Sequence, residues 1–108
     1  MEKTWMNALL NEKLTSEGAK RVRHEIIAMQ QGYRLDASAY DRVAENAGSC
    51  YQYAVDEAHL RDWLAGWQNH ERKWAKAYSE GSCMREQCLG RATIYGMLLR
   101  QLDEVTAA

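Results

Sequence analysis

The sequence predicts an all-α fold: a single small helical bundle of about five helices with one long central helix. Apolar residues recur every three or four positions along most of the chain, which is the spacing of amphipathic helices. No stretch of five or more residues alternates apolar and polar side chains as a half-exposed strand would. Proline is absent, so no residue is forced out of a helix. The length of 108 residues is typical of one domain, and we predict a single helical domain over residues 1–108.

Two helices are predicted in the N-terminal third of the chain. The first covers roughly residues 2–14, where apolar side chains recur at helical spacing. Thr15 or Ser16 can cap the second helix, because a hydroxyl oxygen accepts a hydrogen bond from a free N–H group of the first turn. This second helix is expected to run to about Gln31 and to stop at Gly32.

A short third helix follows the linker segment YRLDAS. Asp36 or Ser38 can cap it, and it is expected to run to about Ala47. Gly48 would end it, because glycine is the residue most often found just after a helix.

The fourth predicted helix is the longest in the chain. It spans residues 50–79, although Asp56 can also start a helix, and Gly81 would close it. Ser82 would then cap a fifth helix that runs to about Val105. An unbroken fourth helix of some 28 residues would be about 42 Å long. A globule of this size has a radius of gyration of only about 13 Å. We therefore expect the long helix to lie along a second copy of the chain, in a homodimer.

The most informative feature of the sequence is an aromatic stripe within residues 59–78. At about 100° per residue, its members lie within a stripe about 120° wide on one helix. A tryptophan-rich face buries either a core or a partner, so the pattern leaves core, dimer interface and binding surface open. We predict that the stripe contacts a partner, with three tryptophans as anchors and one histidine as an orienting group. These residues are Trp63, Trp67, His70 and Trp74.

Arg91 lies inside the apolar stripe of the fifth predicted helix, which is unusual for a charged residue. If it is buried, it requires a carboxylate or the carbonyl groups at a helix end. A partly exposed helix face is one explanation, and a polar contact at an interface, where arginine is enriched, is the other. We include Arg91 among the residues predicted to contact a partner.

Composition and charge narrow the class of protein. No apolar run approaches the roughly 18 residues that span a bilayer, and the N-terminus has no features of a secretory signal. We therefore predict a cytoplasmic protein. Three cysteines in a chain of this length argue against a disulfide framework. The formal net charge is -1, so the basic excess that nucleic-acid-binding proteins usually show is missing.

No catalytic or metal-binding signature is visible. There is no glycine-rich phosphate loop and no serine elbow, and no pair of acids stands in an apolar setting. Cys50, Cys83 and Cys88 lack the tightly paired spacing of zinc modules. We therefore predict a protein that is not an enzyme and that uses no metal or cofactor.

Direct nucleic-acid binding is the alternative from another functional class. Two clusters of basic side chains can contact phosphate, although acids accompany both and a solvated face is the simpler explanation. Their members are Lys20, Arg21, Arg23, Arg72, Lys73 and Lys76.

Residues 48–67 resemble a known bacterial family. Gly48-Ser49-Cys50-Tyr51, then Arg61, Trp63-Leu64 and Gly66-Trp67, are similar to the pattern of ribosome modulation factor. In that family a short helix and a Cys-Pro-Tyr turn precede a helix that begins Trp-Leu-Gly-Gly-Trp. The resemblance implies ribosome binding and silencing of translation. Variants of the tryptophan motif also resemble small phage and mobile-element proteins, which implies such an origin.

A second resemblance involves Arg91-Ala92-Thr93-Ile94-Tyr95. This segment looks like the recognition helix of helix-turn-helix repressors, which implies reading of DNA in the major groove.

We predict a small, non-enzymatic helical binding protein that docks onto a larger host protein or ribonucleoprotein complex and modulates or inhibits it. A phage-encoded anti-defence or host-takeover inhibitor is the identity that this prediction suggests. A ribosome-binding or RNA-binding silencer of translation and a helix-turn-helix DNA-binding regulator are the alternatives.

Overall fold

The structure, a computed structural model, describes residues 9–31 and 37–106, with side chains over 9–31 and 42–103. These residues form four helices: α1 (Glu17–Gln30), α2 (Ala37–Tyr53), α3 (Glu57–Lys76) and α4 (Cys83–Thr106). The predicted all-α fold is confirmed, since the described residues contain no strand. The prediction of about five helices is wrong for this part of the chain. The predicted first helix falls mostly outside the described residues, and residues 9–14 form turns. None of the described helices is long and apolar enough to cross a membrane.

Side-chain caps fix where the helices begin. The hydroxyl oxygen of Ser16 accepts a hydrogen bond from the Ala19 N–H group at 3.1 Å and caps α1. Ser82 accepts one from the Arg85 N–H group at 3.2 Å at the start of α4. Both caps were predicted, because hydroxyl groups satisfy the free N–H groups of a first turn. The predicted stop at Gly32 and cap at Asp36 lie outside the described residues.

The boundary between α2 and α3 differs from the prediction. Gly48 does not end α2, which continues to Tyr53, and the predicted helix over residues 50–79 is broken after Tyr53. One cause is remote in sequence. The Asn11 side-chain amide donates to the carbonyl groups of residues 51, 52 and 54 at 2.8, 3.1 and 3.0 Å, and so satisfies the last turn of α2. The second cause is Asp56, whose carboxylate accepts from the His59 N–H group at 2.8 Å and caps α3.

The break removes the argument from helix length for a homodimer. α3 has 20 residues instead of the predicted span of 50–79. Its length is therefore about 30 Å, which fits within the bundle without a second chain beside it. The homodimer stays a prediction without this support.

The core of the bundle lies where α4 packs against the other three helices. α3 and α4 run antiparallel, because Arg61 pairs with Asp103 near one end of the pair and Glu71 pairs with Arg91 near the other. Gly81 allows the turn between them, with a positive φ of 79° that favours glycine. The largest fully buried side chains of the core are Tyr51, Tyr95, Ile26, Met29, Leu60, Leu64, Leu98 and Leu102.

Candidate partner-binding surface

Five aromatic side chains form a row along α3, which we call the aromatic row. Its members are His59, Trp63, Trp67, His70 and Trp74. Their spacing of three and four residues brings neighbouring rings together. The ring centroids are 4.1 Å apart for His59 and Trp63, and 5.0 Å apart for His70 and Trp74. Between these pairs, Trp67 meets His70 edge-on at 5.7 Å.

The aromatic row is not the buried face of α3. Trp63 is 39% exposed and Trp74 is 48% exposed. The residues of α3 that are buried are Leu60, Leu64, Glu71 and Ala75. At about 100° per residue, the centre of this buried set lies roughly 90° around the helix from the centre of the aromatic row. The row therefore borders the core on one side and faces solvent on the other.

Trp67 is the member of the row that connects it to the core. Its ring stacks on that of Tyr95 in α4, with centroids 6.3 Å apart and planes 12° apart. The Tyr95 hydroxyl accepts a hydrogen bond from the Asn46 side-chain amide of α2 at 3.2 Å. Trp67 thus ties α3 to α4, whereas Trp63 and Trp74 keep large exposed surfaces. The structure assigns Trp67 a largely structural place within the predicted binding set.

Three shallow cavities open along the aromatic row. One of about 320 Å³ lies between the row and α2, and Tyr53, Trp63 and Trp67 line it. A second of about 280 Å³ lies between Trp63 and His70. A third of about 240 Å³ lies beside Trp74 and reaches Arg42 of α2. Apolar and aromatic side chains of a partner fit such hollows, as anchor residues do in protein interfaces.

Arg91 does not share this surface with the tryptophans. It is 6% exposed, and its Nε atom lies 3.0 Å from the Oε2 atom of Glu71. A second guanidinium nitrogen lies 3.5 Å from the Cys88 sulfur. Arg91 therefore has the buried carboxylate that such a residue requires. Its described contacts lie inside the bundle, and its contact with a partner stays a prediction.

The sequence analysis did not single out Glu71, which is 3% exposed. The sequence nevertheless contains a signal that Glu71 is buried. Glu71 follows Leu60 and Leu64 at helical spacing, and Arg91 lies in the apolar stripe of the next helix. Opposite charges within the apolar stripes of two consecutive helices indicate a buried ion pair.

The basic clusters lie on two separate helices. Lys20 and Arg21 are exposed on α1, while Arg23 is half-buried there. The basic residues of α3, which are Arg72, Lys73 and Lys76, are all exposed. α1 packs mainly on α2 and α4, so it is not one of the main neighbours of α3.

The two segments that resemble known families have different surroundings from those expected. Residues 48–51, expected as a turn, lie inside α2, and the turn before α3 is at residues 54–56. The helix-turn-helix-like segment lies in the middle of α4. A recognition helix must present its side chains to a groove. Of this segment only Thr93 is exposed, since the other four residues are buried.

The described cysteines are all free thiols, and two of them, Cys50 and Cys88, are buried. Burial raises the pKa of Cys50 from its ordinary value of 9.0 to about 11, against an opposing hydrogen bond with Trp67. Burial likewise raises the pKa of Tyr95 from 10.0 to about 12, against the hydrogen bond from Asn46. Within the described ranges, no three His, Cys, Asp or Glu side chains converge as metal ligands would.

These raised pKa values predict a loss of stability in alkaline solution. The unfolded chain releases the Cys50 and Tyr95 protons first, near pH 9–10, whereas the folded chain holds them until about pH 11 and about pH 12. Stability is therefore full below pH 9 and falls as the pH rises towards 11. We expect Tm to fall by at least about 5 °C, the shift that about 1 kcal/mol produces in a domain of this size. Thermal unfolding followed by circular dichroism measures it. A matched Cys50→Ala variant should show a smaller fall in Tm. A Tm that stays constant from pH 8.5 to 11 would contradict the prediction.

Comparison with models of known protein families, with curated proteins and with solved structures finds no match to this chain. Its function must therefore be inferred from its own residues and their geometry.

Proposed function

We propose that the chain is a non-enzymatic binding protein that docks its aromatic row onto a larger protein and regulates that protein by covering part of its surface. The observation that carries the proposal is the exposure of Trp63 and Trp74, at 39% and 48%, on either side of the partly buried Trp67. The two rings lie about 16 Å apart along α3, and the other members of the aromatic row continue the surface between them. Contiguous exposed apolar surfaces mark interaction sites. Tryptophan is also the residue type most enriched among interface residues that dominate binding energy.

The shape of the surface favours a protein partner. The hollows beside Trp63 and Trp74 are walled in part by tryptophan rings and are open to solvent, so they suit protruding side chains. Polar groups that can fix the orientation of a partner lie at both ends, with Asp62 near Trp63 and Arg42 near Trp74. An apolar centre with a polar rim is the usual anatomy of a protein interface.

An RNA-containing partner is the second candidate. Arg72, Lys73 and Lys76 are exposed within two residues of Trp74. An exposed aromatic ring can stack on an unpaired base while basic side chains further round the same helix contact phosphate. A ribonucleoprotein complex would satisfy this description, and so would the ribosome that the sequence resemblance suggests.

We expect Trp74→Ala to abolish capture of the partner, because it removes an exposed ring that anchors the partner on the aromatic row. Tagged wild-type and variant proteins would be used to capture partners from a lysate of the native host, with identification by mass spectrometry. Leu89→Ala is a matched control, since Leu89 is as exposed as Trp63, at 39%, but lines none of the cavities along the row. We expect the captured protein to bind wild type and Leu89→Ala and to be lost with Trp74→Ala, a weakening of at least about thirtyfold for an anchor worth about 2 kcal/mol.

Two results would contradict the proposal. The first is capture of the same proteins by Trp74→Ala, and the second is no specific capture by wild type. Loss of capture after ribonuclease treatment, together with a steep decline with salt, would favour the RNA-containing partner instead. Light scattering of wild type tests self-association separately, because a monomeric mass across micromolar concentrations would contradict the homodimer.

A further inference from the structure

A further cavity of about 340 Å³ lies away from the aromatic row, between residues 10–14, α1 and α2. Basic and protonatable side chains of α1 line one side of it: Lys20, Arg23 and His24. Their spacing of three and four residues places them on one face of the helix. Tyr51 of α2 lines the other side, and leucine side chains from residues 10–14 add apolar walls. No residue of the aromatic row lines this cavity.

Arg23 is the unusual residue of this cavity. Four described arginines are not fully exposed, and three of them have partners. Arg61 pairs with Asp103, Arg85 donates to the Tyr78 carbonyl, and Arg91 pairs with Glu71. Arg23 makes no hydrogen bond or ion pair with any described residue, and its Nε atom is buried without an acceptor. Buried polar groups almost always have a partner, so this guanidinium is expected to meet an acceptor that is not part of the described chain.

Nearby carboxylates do not supply that acceptor. Glu57 accepts from the N–H groups of Thr15 and Ser16 at 3.1 Å each, so it is engaged at the start of α1. Glu17 is exposed and pairs with the Lys20 ammonium at 3.4 Å, so it too is engaged. Glu12 lies on the exposed rim of the cavity and forms no ion pair with Arg23. The guanidinium group of Arg23 is therefore available to bind a ligand. Tyr51 lies close to it: burial raises the pKa of Tyr51, and the positive charge of Arg23 opposes that rise.

We propose that this cavity binds the phosphate group of a small phosphorylated molecule. Arg23 would bind two phosphate oxygens through its planar fork, and Lys20 would add a second positive charge. His24 and the Tyr51 hydroxyl can donate further hydrogen bonds. The volume is at the lower end of the range for small-molecule sites and exceeds what phosphate alone fills. The apolar walls and the Tyr51 ring favour an organic remainder on the phosphate.

The test is an NMR titration of the full chain at constant ionic strength with phenyl phosphate and, separately, with inorganic phosphate. We expect saturable shifts of amide signals in residues 10–14, α1 and α2 with phenyl phosphate. Arg23→Gln should weaken its binding by at least about tenfold, because a charge-assisted double hydrogen bond is lost. Arg21→Gln is the matched control, since it removes the same charge from an exposed site two residues away and should leave the affinity unchanged.

Saturable binding of either probe supports a phosphate site, and the ratio of the two affinities identifies the source of the phosphate. Tighter binding of phenyl phosphate indicates an organic phosphomonoester, and equal binding indicates free phosphate. Arg23→Gln breaks no hydrogen bond or ion pair within the described chain, so it should fold, and circular dichroism checks this. An Arg23→Lys variant keeps the charge without the fork and should recover only part of the affinity. The proposal is overturned if neither probe gives saturable shifts up to about 20 mM, where even millimolar affinity is visible. Equal weakening by Arg21→Gln and Arg23→Gln would overturn it too, since it would show diffuse attraction and not a site.

Discussion

Replacing Arg91 with alanine is expected to lower the free energy of unfolding by about 3–5 kcal/mol, the usual cost of breaking a buried ion pair on one side. The Arg91 and Glu71 side chains are 7% and 5% exposed, with Nε and Oε2 3.0 Å apart. The variant leaves the Glu71 carboxylate uncompensated between α3 and α4. A loss of this size is a large fraction of the stability of a small domain. Equilibrium unfolding in urea, followed by circular dichroism, measures it.

Two control variants separate the buried pair from an ordinary surface pair. Arg61→Ala breaks the pair with Asp103, whose side chains are 39% and 57% exposed, and should cost no more than about 1 kcal/mol. The double variant Glu71→Leu, Arg91→Met removes both charges and fills a similar volume, so it should recover most of the loss. If Arg91→Ala costs no more than Arg61→Ala, then Glu71 and Arg91 are not buried together.

Gly18→Ala is expected to destabilise the chain by about 1–3 kcal/mol, because an added methyl group overpacks the contact between α1 and α4. A Cβ atom at residue 18 would lie 2.5 Å from the Leu102 carbonyl oxygen and 3.0 Å from its Cα atom. These are backbone atoms, so one helix must shift away from the other. The shift would also loosen the packing of Leu102, which is fully buried. The midpoint of urea unfolding measures the effect.

Gly90→Ala is the matched control for this substitution. Gly90 also lies within a helix, but a Cβ atom there would have no neighbour within 4 Å. Alanine should therefore leave stability unchanged or raise it by up to about 1 kcal/mol, the difference in helix propensity between the two residues. A Gly18→Ala variant as stable as Gly90→Ala would show that α1 and α4 are further apart than described.

The sequence predicts helix boundaries well where the cap is local and poorly where a distant residue acts. Ser16 and Ser82 satisfy N–H groups three residues ahead, so their roles are visible in a short window of sequence. The end of α2 depends on the amide of Asn11, about forty residues earlier in the chain. No local pattern carries that information, so the sequence alone predicts a stop at Gly48.

The face of α3 that is buried was predicted only approximately, and the reason is physical. Ranking residues by size and apolarity centres the stripe on the tryptophans. In the structure the centre is Leu60 and Leu64, with Glu71 neutralised there by Arg91. A charged residue lowers the apparent hydrophobicity of the face that in fact packs against α4. The tryptophans then lie at its edge, where the binding proposal requires them.

The measurement that tests this account most directly is the free energy of unfolding of Trp74→Ala, compared with that of Leu64→Ala. Leu64 is fully buried, and truncating such a leucine costs about 2–5 kcal/mol. Trp74 is 48% exposed, so its loss should cost about 2 kcal/mol, roughly half of what the loss of a fully buried tryptophan costs. A smaller loss for Trp74→Ala than for Leu64→Ala is the expected result. Equal losses would contradict the account, because they would show that the Trp74 ring belongs to the core and is not available to a partner.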